Sequence, residues 1–412
     1  MTRMKTIWFI YPYGPIPSEK TLDCRYVRFG KVLSKMGYNC VWWTANFSHG
    51  LKTWRSKSWE TIDVCDNLKI ELVPSSAYKK NISLGRVLFE MKFASNLGRK
   101  IRRIEKPDII MTSGTGLFTA FRPVWPYMKK ANVPVIFDIM DVHLINTYMQ
   151  KNHKLAAPFV KLITMITNKR EEPFYKNVAG VSALGRGQLK IAKERTGNRD
   201  VPSCLVYNGI YVDEFREVLN GESKIALPEK KENELWCIYA GSLGPSYDIE
   251  TIIECADICE KEGSNVKFIF AGMGPYEELV EKAAQTNSNV VFVGRLSHEE
   301  LITVYKQCDV GLATYTSYST VDMPDKFYDY CAAGMAIINS LQGEVKDHIA
   351  ENELGLQYEA GSTSSLLDCI MAFRDTEFLN KCKKNAYDIG DKFDLKNQIA
   401  GLAEMINKII GK

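Results

Sequence analysis

Histidine is scarce in this chain, with five residues in 412. The eleven cysteines are an odd number, scattered without a C-x-x-C pair and without histidines at metal-ligand spacing. Cys255 and Cys259 stand one helical turn apart, but no second pair completes a zinc site. That pattern argues against a structural zinc centre and against a disulfide framework, and it points to reduced, buried thiols in a reducing compartment. Long apolar runs are also missing. The most apolar window, residues 155–167, is broken by Pro158 and Lys161, short of the roughly 20 residues a bilayer crossing needs. The start, MTRMKTIWFIYPYGP, holds only a few apolar residues before proline and glycine, so it reads as a first strand and not a signal peptide. No G-x-G-x-x-G opens a helix, which leaves dinucleotide binding without its fingerprint.

What is present is an ordinary globular composition, 45% apolar and 25% charged, in a chain long enough that two domains are expected. The net charge of +4 conceals an asymmetry. Residues 1–200 hold 34 Lys and Arg against 15 Asp and Glu, a net +19, and the remainder carries −15. Only the first half is therefore expected to face an anionic surface or substrate. No recognised nucleic-acid motif accompanies that basic half, so nucleic acid is not an expected partner.

Apolar runs and glycine turns alternate through both halves. Residues 5–11 and 39–45 read as strands flanking a helix over 23–36, which Gly37 ends. This β-α-β opening predicts a doubly wound sheet, and the loop holding Gly14 falls at a strand's carboxyl end, where such sheets place ligands. Further strands are read at 107–112, 133–139 and 178–182, and Asp141 and His143 follow the second of these. The loop LKTWRSKSWE and the basic helix within 79–106 read either as a membrane or acceptor face or as solvated surface. In the second half, strands at 236–240, 266–271 and 290–293 run into Gly241-Ser242, Gly272-Met273-Gly274 and Gly294-Arg295. The final helix is read over 394–410.

Residues 310–340, VGLATYTSYSTVDMPDKFYDYCAAGMAIINS, form the densest unit: strand, polar loop, helix from Pro324, and a second strand after Gly334. The helix start, with Lys326 and Asp329 in its first turns, offers free N–H groups and a positive dipole end to a phosphate. The segment P-D-K-F-Y-D-Y-C-A-A-G resembles the P-x-K-x-x-E-Y-x-A-x-G segment of family-4 retaining glycosyltransferases of the GT-B fold, of the kind that builds bacterial surface polysaccharides. L-V-Y-N-G-I-Y-V-D-E-F at 205–215 resembles that family's linker signature, and the match extends more weakly over most of the chain.

The resemblance implies an α/β, GT-B architecture: two Rossmann-like doubly wound domains facing a central cleft. Residues 1–200 would bind the acceptor, 201–393 the nucleotide sugar, and 394–412 would return as a helix to the first domain. It implies transfer of a sugar from a UDP-sugar, with GDP as the other candidate, to a lipid-pyrophosphate-linked or glycan acceptor, with no required metal or other cofactor. The setting would be cytoplasmic, with the basic domain peripheral on the anionic inner face of the cytoplasmic membrane. Donor-site expectations fall on Asp329, Lys326, Gly241, Ser242, Tyr247, Gly272, Gly274, Arg295 and Gly14. Catalytic expectations fall on Asp322, Lys326, Asp141 and His143.

The chain departs from the family pattern at several of these positions. Ser242 and Tyr247 stand where two cations are customary, Asp329 is one methylene shorter than the usual acid, and Val321 replaces the first acid of the E-x7-E pair. Asp322 is one residue off that position. A catalytically weakened homologue that binds a partner or glycan is therefore an alternative, as is a GT-B nucleotide-sugar epimerase, which five histidines serve poorly.

Overall fold

The computed structural model describes residues 3–19, 23–81, 83–113, 122–140, 165, 169–223, 225–319 and 321–411. The chain divides into two compact units, Met1–Tyr207 with Gln398–Lys412, and Asn208–Asn397.

The first unit is built on an eight-stranded sheet. Its strands are β1 (Lys5–Ile10), β2 (Tyr38–Ala45), β3 (Glu60–Cys65), β4 (Leu68–Val73), β5 (Ile109–Ser113), β6 (Val135–Ile139), β7 (Gly180–Ala183) and β8 (Ser203–Leu205). They lie in the order β3-β4-β2-β1-β5-β6-β7-β8. All neighbours are parallel except β3 and β4. The central strands read as continuous apolar runs because helices cover both faces of such sheets. The helix Arg25–Lys35 and the helix Leu84–Ile101 bury Tyr26, Val27, Phe29 and Leu33, and Phe89, Phe93 and Leu97. Ser83 caps the second of these by accepting from the Arg86 amide at 3.2 Å.

The β3–β4 hairpin was not foreseen. It turns at Asp66-Asn67, with Asn67 at φ +62°, a conformation asparagine tolerates better than most residues. The turn residues and the alternation of L-K-I-E-L-V are the signal that announces it.

The second unit holds β9 (Leu235–Ser242), β10 (Val266–Met273), β11 (Val290–Gly294), β12 (Val310–Ala313), β13 (Ala336–Asn339) and β14 (Gly355–Gln357), ordered β11-β10-β9-β12-β13-β14 and parallel throughout. A tyrosine-rich helix, Asp325–Ala333, follows β12 and stops at Gly334, whose φ of +68° gives the left-handed helix end. Two doubly wound sheets are the α/β architecture expected.

Where the chain passes from one unit to the other, Ile210 and Asp394 form a parallel bridge. The helix Leu395–Ile410 then belongs largely to the first unit, where Tyr38 donates to Asn407 at 2.6 Å. Among the described residues no helix is long and apolar enough to cross a membrane.

Candidate functional site

The carboxyl ends of β9 and β10 lie closer together than side chains permit. Gly272 sits at φ +154°, and a Cβ there would stand 1.8 Å from the Gly241 carbonyl oxygen; one on Gly274, at φ +153°, would stand 2.3 Å from that of Leu243. Real Cβ atoms do not approach so near, so both positions require glycine. The Leu243 amide donates to the Met273 carbonyl at 2.9 Å, and Tyr276 donates to Leu243 at the same distance. The result is a bare backbone surface at the strand ends, with Gly241 and Ser242 exposed on it.

Lys326 is brought against this surface. A Cβ on Gly241 would lie 3.4 Å from its Nζ. Three tyrosine rings surround the ammonium, with centroids 4.2 Å away for Tyr239, 5.0 Å for Tyr315 and 5.1 Å for Tyr247. Tyr239 is fixed by its hydroxyl donating to the Ser242 carbonyl at 2.6 Å. Ring faces attract a cation, but the Nζ is buried and makes no hydrogen bond. Burial pushes its pKa down to about 7, against a raising effect from Asp329. Tyr247, which stands where the family carries a cation, is thus a wall of the cage that holds the remaining one.

Asp329 lies on the same helix. Its Oδ1 is 3.6 Å from His298 Nε2, and the Tyr305 hydroxyl also bonds to it. The hydrogen bond to Asp329 raises the His298 pKa above its ordinary value. Asp329 therefore presents a carboxylate held on one side, near Lys326 on the other.

Asp322 is engaged elsewhere. Its Oδ1 accepts from the Glu344 amide at 2.8 Å, closing the first turn of the helix Glu344–Glu351. Losing such a cap costs about 1 kcal/mol. Asp322→Ala is accordingly expected to lower the melting temperature by roughly 2–4 °C, read by differential scanning calorimetry, whereas Asp322→Asn stays near wild type. Val321 is exposed beside it, and Arg295 is exposed directly after Gly294, whose φ is +69°.

In the first unit, Gly14 sits at φ +94° with Cys24 Cβ 3.1 Å from where its own Cβ would lie. Its carbonyl accepts from Arg55 at 2.6 Å, and Arg55 also grips both Glu19 oxygens at 3.0 Å. Arg55 is therefore a brace for the Gly14 loop and not a surface cation.

Beside that loop is a polar cluster that sequence reading did not find. Tyr13 and Glu90 bond to one another, as do His49 and Tyr78, and Arg86 is 3.4 Å from Glu90. Desolvation, with Lys52 and Arg86 adding to it, lowers the His49 pKa to about 4. The i,i+4 spacing of Arg86 and Glu90 was the available signal; both face inward on a helix expected to present its cations outward. Asp138 is wholly buried and bonded to Arg25, Tyr26 and Ser182. Asp141 and His143 lie outside the described residues. Among the described residues no group of three or more His, Cys, Asp or Glu could hold a metal ion.

Residues 222–389, within the second unit, match the family model described as Glycosyl transferases group 1. A chitobiosyldiphosphodolichol beta-mannosyltransferase of Candida albicans is 22% identical over 317 residues, covering 71% of this chain and 66% of its own, just under two thirds of its length. Among solved structures, sucrose-phosphate synthase from Thermosynechococcus elongatus superposes with a TM-score of 0.68 at 15% identity, over 99% of this chain and all of that one. Anabaena Alr3699/HepE in complex with UDP-glucose gives 0.60 at 12% identity, over 98% and all of that chain. The likeness to these structures shows the GT-B fold, and residues 222–389 of its second unit match a group 1 glycosyl transferase domain.

Proposed function

We propose that this chain is a retaining glycosyltransferase that moves a sugar from a UDP-sugar to a lipid-linked or glycan acceptor in bacterial surface-polysaccharide assembly. The observation that carries the reading is the Lys326 ammonium, buried without a hydrogen-bond partner against the glycine surface of β9 and β10. A buried cation left unpaired is costly, and a diphosphate at the amino end of the helix Asp325–Ala333 would pair it. There the free N–H groups of the first turn favour the same charge.

In the transfer, the bond from the sugar's anomeric carbon to the diphosphate oxygen breaks and its electron pair stays on the diphosphate. The acceptor hydroxyl oxygen bonds to that carbon, and its proton goes to the departing phosphate. Lys326 would hold the charge that develops on the leaving group, the role of a preorganised donor, while Asp329 accepts from ribose hydroxyls. Retention of configuration and the surface-polysaccharide setting rest on the sequence resemblance.

A peripheral place on an anionic membrane is supported by the outer face of the first unit. Leu84 and Leu88 are 82% and 60% exposed one helical turn apart, and Leu51 and Trp54 are 55% and 51% exposed. Lys52 links the two segments by donating to Asn81 at 2.6 Å. Exposed apolar side chains beside a lysine suit a lipid interface.

The test is thermal unfolding with UDP, GDP and their sugar conjugates. At a hundredfold excess over Kd, UDP should stabilise the wild type by about 2.7 kcal/mol, and Asp329→Ala should lose most of that shift. Stabilisation by no nucleotide would favour the second reading, a non-catalytic homologue, for which the exposed Val321 and the occupied Asp322 already speak.

A further inference from the structure

Lys326 lies beneath the strand-end glycines, where a Cβ on the exposed Gly241 would stand 3.4 Å from its Nζ, yet that nitrogen is itself buried. A diphosphate resting on the glycines therefore meets Gly241 first. It reaches the ammonium only if a wall of the ring cage yields, and the three walls are not equally fixed.

Tyr239 is wholly buried on β9, and its hydroxyl donates to the Ser242 carbonyl at 2.6 Å. Tyr315 is 5% exposed. Its amide donates to the Ser340 hydroxyl at 2.7 Å, and its carbonyl accepts from that hydroxyl at 2.8 Å. Tyr247 differs from both. It is half-buried, and among the described residues nothing bonds to its hydroxyl. Its ring meets Tyr239 edge to face at 6.0 Å and Tyr315 tilted at 5.0 Å, while its amide donates to the Gly244 carbonyl at 3.0 Å. The turn that carries it, with Pro245 and Ser246 exposed, is latched from outside. The Thr316 amide and hydroxyl both donate to the Ser246 carbonyl at 3.2 Å, and the exposed Tyr318 hydroxyl donates to that of Pro245.

Outward rotation of Tyr247 gives up one ring contact to the cation. It allows charge-assisted hydrogen bonds from the ammonium to phosphate oxygens in return. A neutral ligand offers no such exchange, so an anion is what shifts the balance toward the open form. We infer that the Tyr247 ring is a gate, which covers Lys326 until a nucleoside diphosphate reaches the glycines of β9 and β10 and then swings out to let the two pair. The choice of ligand rests on the donor reading above.

Acetylation of the full chain with N-succinimidyl acetate, followed by peptide mass spectrometry, tests the gate without any nucleotide. At about pH 8 the Lys326 amine is largely unprotonated, its pKa being about 7, so its labelling reads access. With the open form at about a tenth of the population or less, Tyr247→Ala should label Lys326 about tenfold or more faster than the wild type. Tyr247→Phe keeps the ring and should stay slow. Tyr318→Phe removes a latch bond from an exposed side chain, and should speed labelling even if Tyr247→Ala fails to fold. In stopped-flow mixing with UDP, the wild-type association rate should level off as UDP rises, because opening limits it, whereas that of Tyr247→Ala should keep climbing. Equal labelling of Lys326 in the wild type and these variants, or matching UDP association in the wild type and Tyr247→Ala, would overturn the gate. Faster labelling with no UDP binding by any of the proteins would instead overturn the donor reading, and with it the diphosphate as the ligand that opens the gate.

Discussion

Lys326→Met is expected to remove nucleotide binding and transfer while making the protein more stable. The two effects share one cause. In the empty site the ammonium is buried among Tyr239, Tyr247 and Tyr315 without a hydrogen bond. Its pKa falls from 10.5 to about 7, which corresponds to a few kcal/mol against the charged form. Between those values the unfolded chain binds more protons than the folded one, so wild-type stability should rise with pH from 7 towards 10. Below pH 7 the penalty is fully present. Methionine fills a similar volume with no charge to desolvate, so the variant should be more stable by about a few kcal/mol near neutrality. Its advantage should fade as the pH rises.

Function runs the other way. Removing one preorganised donor to a developing oxyanion costs about 10²–10³ in rate, and Ser242 and Tyr247 stand where the resembled family carries companion cations. The expected loss is therefore at the upper end of that range or beyond. Unfolding curves from pH 6 to 10, with and without UDP, read both halves. A variant that keeps its UDP-induced shift, or that loses stability at pH 7, would sink the assignment of Lys326.

Much of this was legible because it is local. Strands buried on both faces are written as apolar runs, and Gly37 and Gly334 end helices where their positive φ is needed. The paired strand-end glycines at Gly241 and Gly272 were also visible, although not that one carbonyl oxygen would press against the other residue's Cα. The tyrosine cage was not visible. Its rings come from the β9 strand, the loop after it and the loop after β12, and no spacing rule connects them. Tyr247 read as a lost cation, because sequence reports what is missing at a position but not what the replacement packs against. Asp322 read as a displaced acid for the same reason; its partner, the Glu344 amide, is set by tertiary packing. The hairpin at β3 and β4 escaped because β3 is an exposed edge strand with a weak apolar pattern.

Asp138→Ala should be the most damaging single change to the first unit. The carboxylate accepts from Arg25 at 3.0 and 3.1 Å, from the Tyr26 hydroxyl at 3.2 Å and from Ser182 at 2.7 Å. Arg25 also donates to the Val206 carbonyl at 2.7 Å, so the network joins the helix Arg25–Lys35, β6, β7 and the segment leading out of the unit. Alanine would strand a buried guanidinium, a loss of about 3–5 kcal/mol. Arg25→Met should cost less, because the remaining carboxylate keeps two hydroxyl donors. The double variant Arg25→Met/Asp138→Leu should recover much of the stability, since no charge is left in the interior. Six of the seven tryptophans lie in this unit, so denaturant unfolding followed by tryptophan fluorescence reports on it almost alone. A double variant no more stable than Asp138→Ala would mean that the hydrogen bonds, and not the unpaired charge, set the energy of this joint.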